Sequence, residues 1–259
     1  MVTDMFKLTD HPLLVFVLSF IALWVWAGVG WFFLRRRFKL EVETREDFGF
    51  ILGASLTLLG LIIGFSFSMA TSRYDQRKNC EEAEANAIGT EYLRADLLPA
   101  SDGAKVRKLL KHYLDQPIQF YLAKDPQEER RINSTTAQLQ ADLWSAILAP
   151  AATQPTPVVA LAISGMNDVL NSQGYTQAAW WNRIPTAAWA LMVAIAVVCN
   201  LLAGYGSRSA RSGAKLLPVL PLVISIAFML IADIDTPHRG IIRVSPQNLI
   251  SLAQSLPQQ

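Results

Sequence analysis

Four windows of this sequence hold no Asp, Glu, Lys, Arg or His: residues 12–34, 48–72, 184–207 and 216–232, which are 23, 25, 24 and 17 residues long. A bilayer core of about 30 Å is crossed by about 20 helical residues, with about 17–25 the working range. In hydrocarbon every backbone N–H and C=O has to be paired within the segment, so an α-helix is the form such a window takes. The windows predict four transmembrane helices, over 12–34, 48–72, 185–207 and 216–232. Pro12 suits a helix start, where its missing N–H costs nothing. Trp31 followed by Arg35, Arg36 and Arg37 is an aromatic-then-basic interface anchor, and Trp180 and Trp181 before Arg183 anchor the third helix in the same way. Composition agrees: the chain is 52% hydrophobic and 17% charged, where soluble chains lie near 45–50% and about 25%. This argues against a soluble enzyme.

Other classes lose support on the same grounds. The formal net charge is +2, with no basic face of the kind that binds nucleic acid. Cys80 and Cys199 make neither a zinc spacing nor a plausible disulfide, because Cys199 falls inside the third window. His11, His112 and His238 are far apart, so no metal site is expected. There is no G-x-G-x-x-G, Walker loop, G-x-S-x-G or H-E-x-x-H, so no catalytic residue, enzyme activity or cofactor is expected. The leader carries Asp4, Lys7 and Asp10, unlike the basic start of a signal peptide, and the first window reads as a retained helix.

Between the second and third windows, residues 73–184 read as a helical extramembrane domain. A helix is expected over 75–98, ended by Pro99. A second is expected over 103–122, with Val106, Leu109, Leu110, Tyr113 and Leu114 on one face and Pro117 kinking or dividing it. A third runs from Asp125 to about Leu148, followed by an Ala/Pro/Thr linker over 149–157. A fourth, over 158–170, is stopped by 171–174. The tail, 233–259, holds nothing strand-like longer than 240–245, and its last residues are expected to be poorly ordered.

Orientation follows from short loops. Residues 35–47 hold five Lys/Arg and 206–215 hold three. The positive-inside rule puts both in the cytoplasm and discounts long domains. On that rule the helical domain and both termini lie in the periplasm, and the protein sits in the inner membrane.

The second window is the richest in pattern. Gly49, Gly53, Thr57, Gly60, Gly64, Ser68 and Ser72 follow at spacings of three or four, one stripe of small residues on one helix face. Close helix packing is one reading, since small residues let backbones approach. A pore-facing helix in a ring of subunits is the other, with Leu61 and Phe65 forming an apolar gate. No charge lies inside any window, which disfavours a proton-coupled transporter. Past the window come Arg73, Asp75, Arg77, Glu81 and Glu84. They are either vestibule charges or a solvated face with weak Arg77–Glu81 and Lys78–Glu82 pairs at i,i+4. Asp233 and Asp235, at the end of the fourth window, read as helix-end capping or as a hold for the folded-back tail.

Two helices, a helical block, two more helices and an acidic tail is an order that resembles the bestrophins. The stretch from Leu59 through Gly64-Phe65 to Arg73-Tyr74-Asp75 looks like the bestrophin segment with a Gly-Phe pair followed by an Arg beside an aromatic. Asp233-Ile234-Asp235-Thr236-Pro237 is similar to the acidic segment after the last bestrophin membrane helix. With Glu84-Ala85-Asn86-Ala87-Ile88-Gly89-Thr90 and 92–99, these motifs resemble the bacterial bestrophin-like membrane proteins. The resemblance implies a homopentameric ion channel with the second helix lining the pore and an apolar neck whose positions fall on Thr57, Leu61 and Phe65. Thr57 puts a hydroxyl where the neck is aliphatic. Asp233 and Asp235 do not complete a calcium clasp, so calcium activation is not carried over. The resemblance also implies a cytoplasmic helical domain, opposite to the charge rule.

The expectation is an all-α, four-pass membrane protein with a bestrophin-like inserted helical domain. It self-associates in the bilayer and conducts ions passively, and it binds no nucleic acid. The alternative is a non-conducting scaffold or sensor whose helical domain binds a partner.

Overall fold

The structure, a computed structural model, describes residues 9–37, 44–123, 125–207, 216–237 and 239–257. Residues 38–43, residues 208–215 of the basic loop, His238 and the last two residues lie outside the described residues. The described residues are helical throughout, with turns and extended connections and no strand, including over 240–245. Among the described residues the helices of nine residues or more are α1 (Pro12–Val29), α2 (Thr44–Arg94), α3 (Ala100–Leu122), α4 (Pro126–Thr153), α5 (Pro157–Trp181), α6 (Thr186–Gly206), α7 (Val219–Asp235) and α8 (Gln247–Ser255). A π-helical turn, Gly30–Leu34, continues α1, and a 3-10 turn, Ala95–Leu97, follows α2. The chain divides into two units, residues 1–72 with 183–242 and residues 73–182 with 243–259.

The first unit is built from α1, the first half of α2, α6 and α7. Alpha-1 packs along both α6 and α7. The close approach is made by glycine: a methyl group at Gly30 would lie 2.0 Å from the Leu201 carbonyl oxygen, and one at Gly204 would lie 2.0 Å from that of Ala27. Leu23, Ala27, Met192, Ala196, Ile224 and Ile231 fill the seam. The Trp189 and Phe228 rings meet edge to face at 6.1 Å. The ends are tied by carboxylates. Asp235 accepts from Ile184 N–H at 3.1 and 3.2 Å, and Asp233 accepts from Ile241 and Ile242 N–H at 2.7 and 2.9 Å. Both acids thus pair orphan backbone donors at the start of α6 and in the turn after α7.

The second unit is a helical bundle. Alpha-3 packs on α4, α4 on α5, and α8 lies on α3. Its core is Ile88, Val106, Leu110, Tyr113, Leu114, Leu143, Ile147, Met166 and Val169. Asp125 and Thr156 cap α4 and α5, accepting from Gln127 N–H at 2.9 Å and Val159 N–H at 3.2 Å.

Several expected boundaries are corrected. The second window and the 75–98 helix are one 51-residue helix, α2, about 77 Å long at 1.5 Å per residue. The chain changes from apolar to charged at Arg73, but no proline intervenes and the charged residues are good helix formers. Pro117 does not divide α3, and Pro150 lies inside α4, so the 149–157 linker shrinks to three residues. Each proline removes one intrahelical bond, and both are buried in the bundle. Alpha-5 runs through 171–174 to Trp181, with Ser172 Oγ donating to the Val169 carbonyl at 2.7 Å. Among the described residues, three stretches are long and apolar enough to cross a membrane, Pro12–Leu34, Arg45–Leu97 and Pro157–Gly206. The fourth expected span, 216–232, falls on α7, whose 17 residues end in Asp233 and Asp235.

Candidate functional site

At 100° per residue, Leu59, Ser66 and Ala70 lie on one side of α2, and all three are buried. Gly53, Thr57, Gly60, Leu61, Gly64, Phe65 and Ser68 lie away from that side, and none of the seven is buried. Leu61 is 53% and Phe65 62% exposed. A methyl group at Gly53, Gly60 or Gly64 would meet nothing within 4 Å. Thr57 turns its hydroxyl back onto the Gly53 carbonyl at 2.9 Å. The small-residue stripe is therefore not a packing seam of this chain. The seam is made by Gly30 and Gly204 instead. The most apolar part of Arg45–Leu97 is 6% buried, against 22% in Pro12–Leu34 and 33% in Pro157–Gly206.

In the second unit α2 turns a row of ionisable residues inward. Arg77, Glu81, Glu84 and Glu91 are at most 1% exposed and share the inner face with Ile88 and Ala95. Arg77 donates to the Ala179 and Asn182 carbonyls at the end of α5, at 3.4 and 3.5 Å. A helix C-terminus carries partial negative charge, so this is a favourable place for a cation. Glu81 does the converse at the N-terminus of α8. Its Oε1 accepts from Asn248 and Leu249 N–H at 2.8 and 3.0 Å, and its Oε2 accepts from Asn248 Nδ2 at 2.6 Å. Arg73, half-buried, donates from Nε to Asn182 Oδ1 at 3.3 Å, and Asp75 is exposed. Arg77, Glu81 and Glu84 are thus interior groups of the bundle rather than a solvated face.

Glu84 accepts from Thr176 Oγ1 at 2.9 Å through Oε2, while Oε1 is buried with no partner. Burial pushes its carboxyl up to about 7, with Thr176 pulling it down and Glu81 adding to the rise. Glu91 has both oxygens buried without a hydrogen bond. Its carboxyl is pushed up to about 8 by burial, opposed by Arg94 and assisted by Asp168. A methyl at Gly165 of α5 would lie 2.0 Å from Glu91 Oε2 and 2.4 Å from an Arg94 guanidinium nitrogen, so the two side chains rest where glycine leaves room for them. The Tyr113 and Tyr121 phenols are pushed up by burial and then by Glu84. Among the described residues, no group of three or more His, Cys, Asp or Glu could hold a metal ion.

Reasoning from sequence missed Glu91, Gly165 and Thr176. The spacing of 77, 81, 84, 88, 91 and 95, alternating four and three, is the signal for one helix face. Its charged members hid it. Gly165 and Thr176 carry no local signal, because each is defined by a partner more than 70 residues away.

An all-helical chain with long apolar spans and a charged helical bundle is a helical membrane protein. The model of the bestrophin-like domain matches residues 19–249, and the chain belongs to the bestrophin-like family. The fold is that of solved bacterial bestrophin homologues. One from Klebsiella pneumoniae, solved by zinc phasing, is 15% identical with a TM-score of 0.62, over 95% of this chain and 100% of that one. A point variant of a bestrophin homologue from the same organism is 14% identical with a TM-score of 0.62, over 94% and 96%. A further crystal structure, described as that of a membrane protein, is 14% identical with a TM-score of 0.64, over 92% and 99%. No curated protein matches this chain.

Proposed function

We propose that this protein is an oligomeric ion channel of the inner membrane, with no catalytic activity. It conducts passively through a central pore lined by the outward face of α2. One observation carries the reading: the face bearing Gly53, Thr57, Gly60, Leu61, Gly64, Phe65 and Ser68 is open along the apolar part of α2, away from the face that packs. A stripe of small residues and hydroxyls with two large apolar side chains suits a water-filled path with a constriction. In a single chain it has nothing to face. In a ring of subunits, five by family resemblance, the stripes converge on one axis. Leu61 and Phe65 then form the gate, with Thr57 one turn away.

Of the charges after the span, exposed Asp75 is the one that meets a permeating ion in this reading, while Arg73 is held by Asn182. Arg77, Glu81 and Glu84 brace the bundle. Alpha-7 is the fourth membrane pass, since it is apolar through residue 232 and packs along α1.

Native mass measurement and flux in proteoliposomes, with chloride, potassium and sodium tested separately, check this reading. A ring of several subunits with selective flux is expected. A monomer or dimer, or a ring that passes no ion, overturns it and leaves a scaffold whose helical bundle binds a partner.

A further inference from the structure

Glu84 lines a partly open cavity between α2, α3, α4 and α5. The space open to the centre of a water molecule is about 10 Å³, near the lower limit for one water or one monatomic ion. The polar side chains around it are Gln116, Asn133, Thr136, Gln173, Thr176 and Gln177. Each has an oxygen in its side chain. No Arg, Lys or His lines the cavity among the described residues. Glu84 is fully buried, and its Oε1 has no partner.

An unpaired buried carboxylate is costly and is compensated by a proton or by an opposite charge. A donor set made of oxygens alone suits a hard cation, and nitrogen- or sulfur-seeking metals are disfavoured. One carboxylate balances one positive charge. A divalent ion would be left with excess charge in a cavity that offers it no second acid. We infer that the Glu84 cavity is a binding site for a single alkali-metal cation, held by the Glu84 carboxylate and the neutral oxygens of Thr136, Thr176 and the surrounding amides. The site lies inside the helical bundle and is independent of conduction, so it stands or falls apart from the channel reading.

The test is thermal unfolding of the purified full-length protein in detergent at pH 8. Sodium chloride, potassium chloride and choline chloride are compared at equal ionic strength. A bound cation raises the unfolding temperature by mass action, and here a gain of about 2–4 °C over choline is expected for at least one alkali ion. Glu84→Gln should abolish that gain. Thr136→Val, which keeps the shape and removes one oxygen, should shift it to higher salt concentration. If Glu84→Gln does not fold, Thr136→Val against wild type reads the same site. Equal unfolding temperatures of the wild type in all three salts overturn the inference. So does a gain that persists unchanged in the variants, which would place the cation elsewhere or leave only water in the cavity.

Discussion

Two sets of glycines in one membrane unit behave in opposite ways. Gly30 and Gly204 press α1 and α6 together so closely that a methyl group on either would strike the other helix's backbone. Gly53, Gly60 and Gly64 face open space. Small residues at a helix surface thus mark two different things, a seam already closed and a surface still waiting for company. Only coordinates separate them, because spacing reads the same in both. The open set is the more regular of the two in sequence, and the closed set is the one that holds the chain together.

The largest effect should come from filling the closed seam. Gly204→Val forces a side chain into the Ala27 carbonyl, and backbone cannot swing aside. A loss of about 3 kcal/mol, the upper end for overpacking, is expected, a large share of a total of about 5–15. Thermal unfolding and gel filtration should show a protein that unfolds early or fails to remain monodisperse. A stable Gly204→Val would break the contrast.

Gly165→Ala comes next. The atoms in its way are the ends of the Glu91 and Arg94 side chains, which can move. A loss of about 1–2 kcal/mol is expected, read by the same unfolding measurement.

The third prediction concerns pH. The Glu91 carboxyl is raised to about 8 in the folded protein from an ordinary 4.5. The folded state therefore holds a proton that the unfolded state has released, and stability falls as pH rises between those values. Glu91→Gln removes this contribution. The fall in unfolding temperature between pH 5 and 8 should be shallower in the variant by a few degrees. An identical slope would show that Glu91 ionises as an exposed glutamate does. The smallest effect on stability belongs to the open set. Gly60→Ala should lose less than about 0.5 kcal/mol by unfolding, since nothing in the chain opposes a methyl there.

Much of this fold was legible in sequence where one physical constraint acted alone. The charge-free windows place the apolar stretches because hydrocarbon tolerates little else. Helix ends were harder. Arg73 looks like a boundary because composition changes there, yet composition reports solvent and not backbone continuity. Asn171 to Gly174 look like a stop, but α5 carries Ser172 into the interior and continues. Pro150 and Pro117 look like breaks, and each is absorbed by packing.

In sequence Glu81 and Glu84 read as vestibule charges or as a solvated face, because carboxylates rarely lie buried. Their interior placement depends on partners far along the chain. Glu81 needs the N-terminus of α8, and Glu84 needs Thr176. The outward stripe, by contrast, was visible residue by residue, since it is written on one helix.

The central claim is that the open face of α2 surrounds the ion path, and Phe65 on that helix tests it most directly. Phe65 is 62% exposed. The measurement is ion flux through reconstituted wild type and Phe65→Ala at matched protein content. The account predicts that Phe65→Ala raises or deregulates flux. Unchanged flux in Phe65→Ala would contradict it.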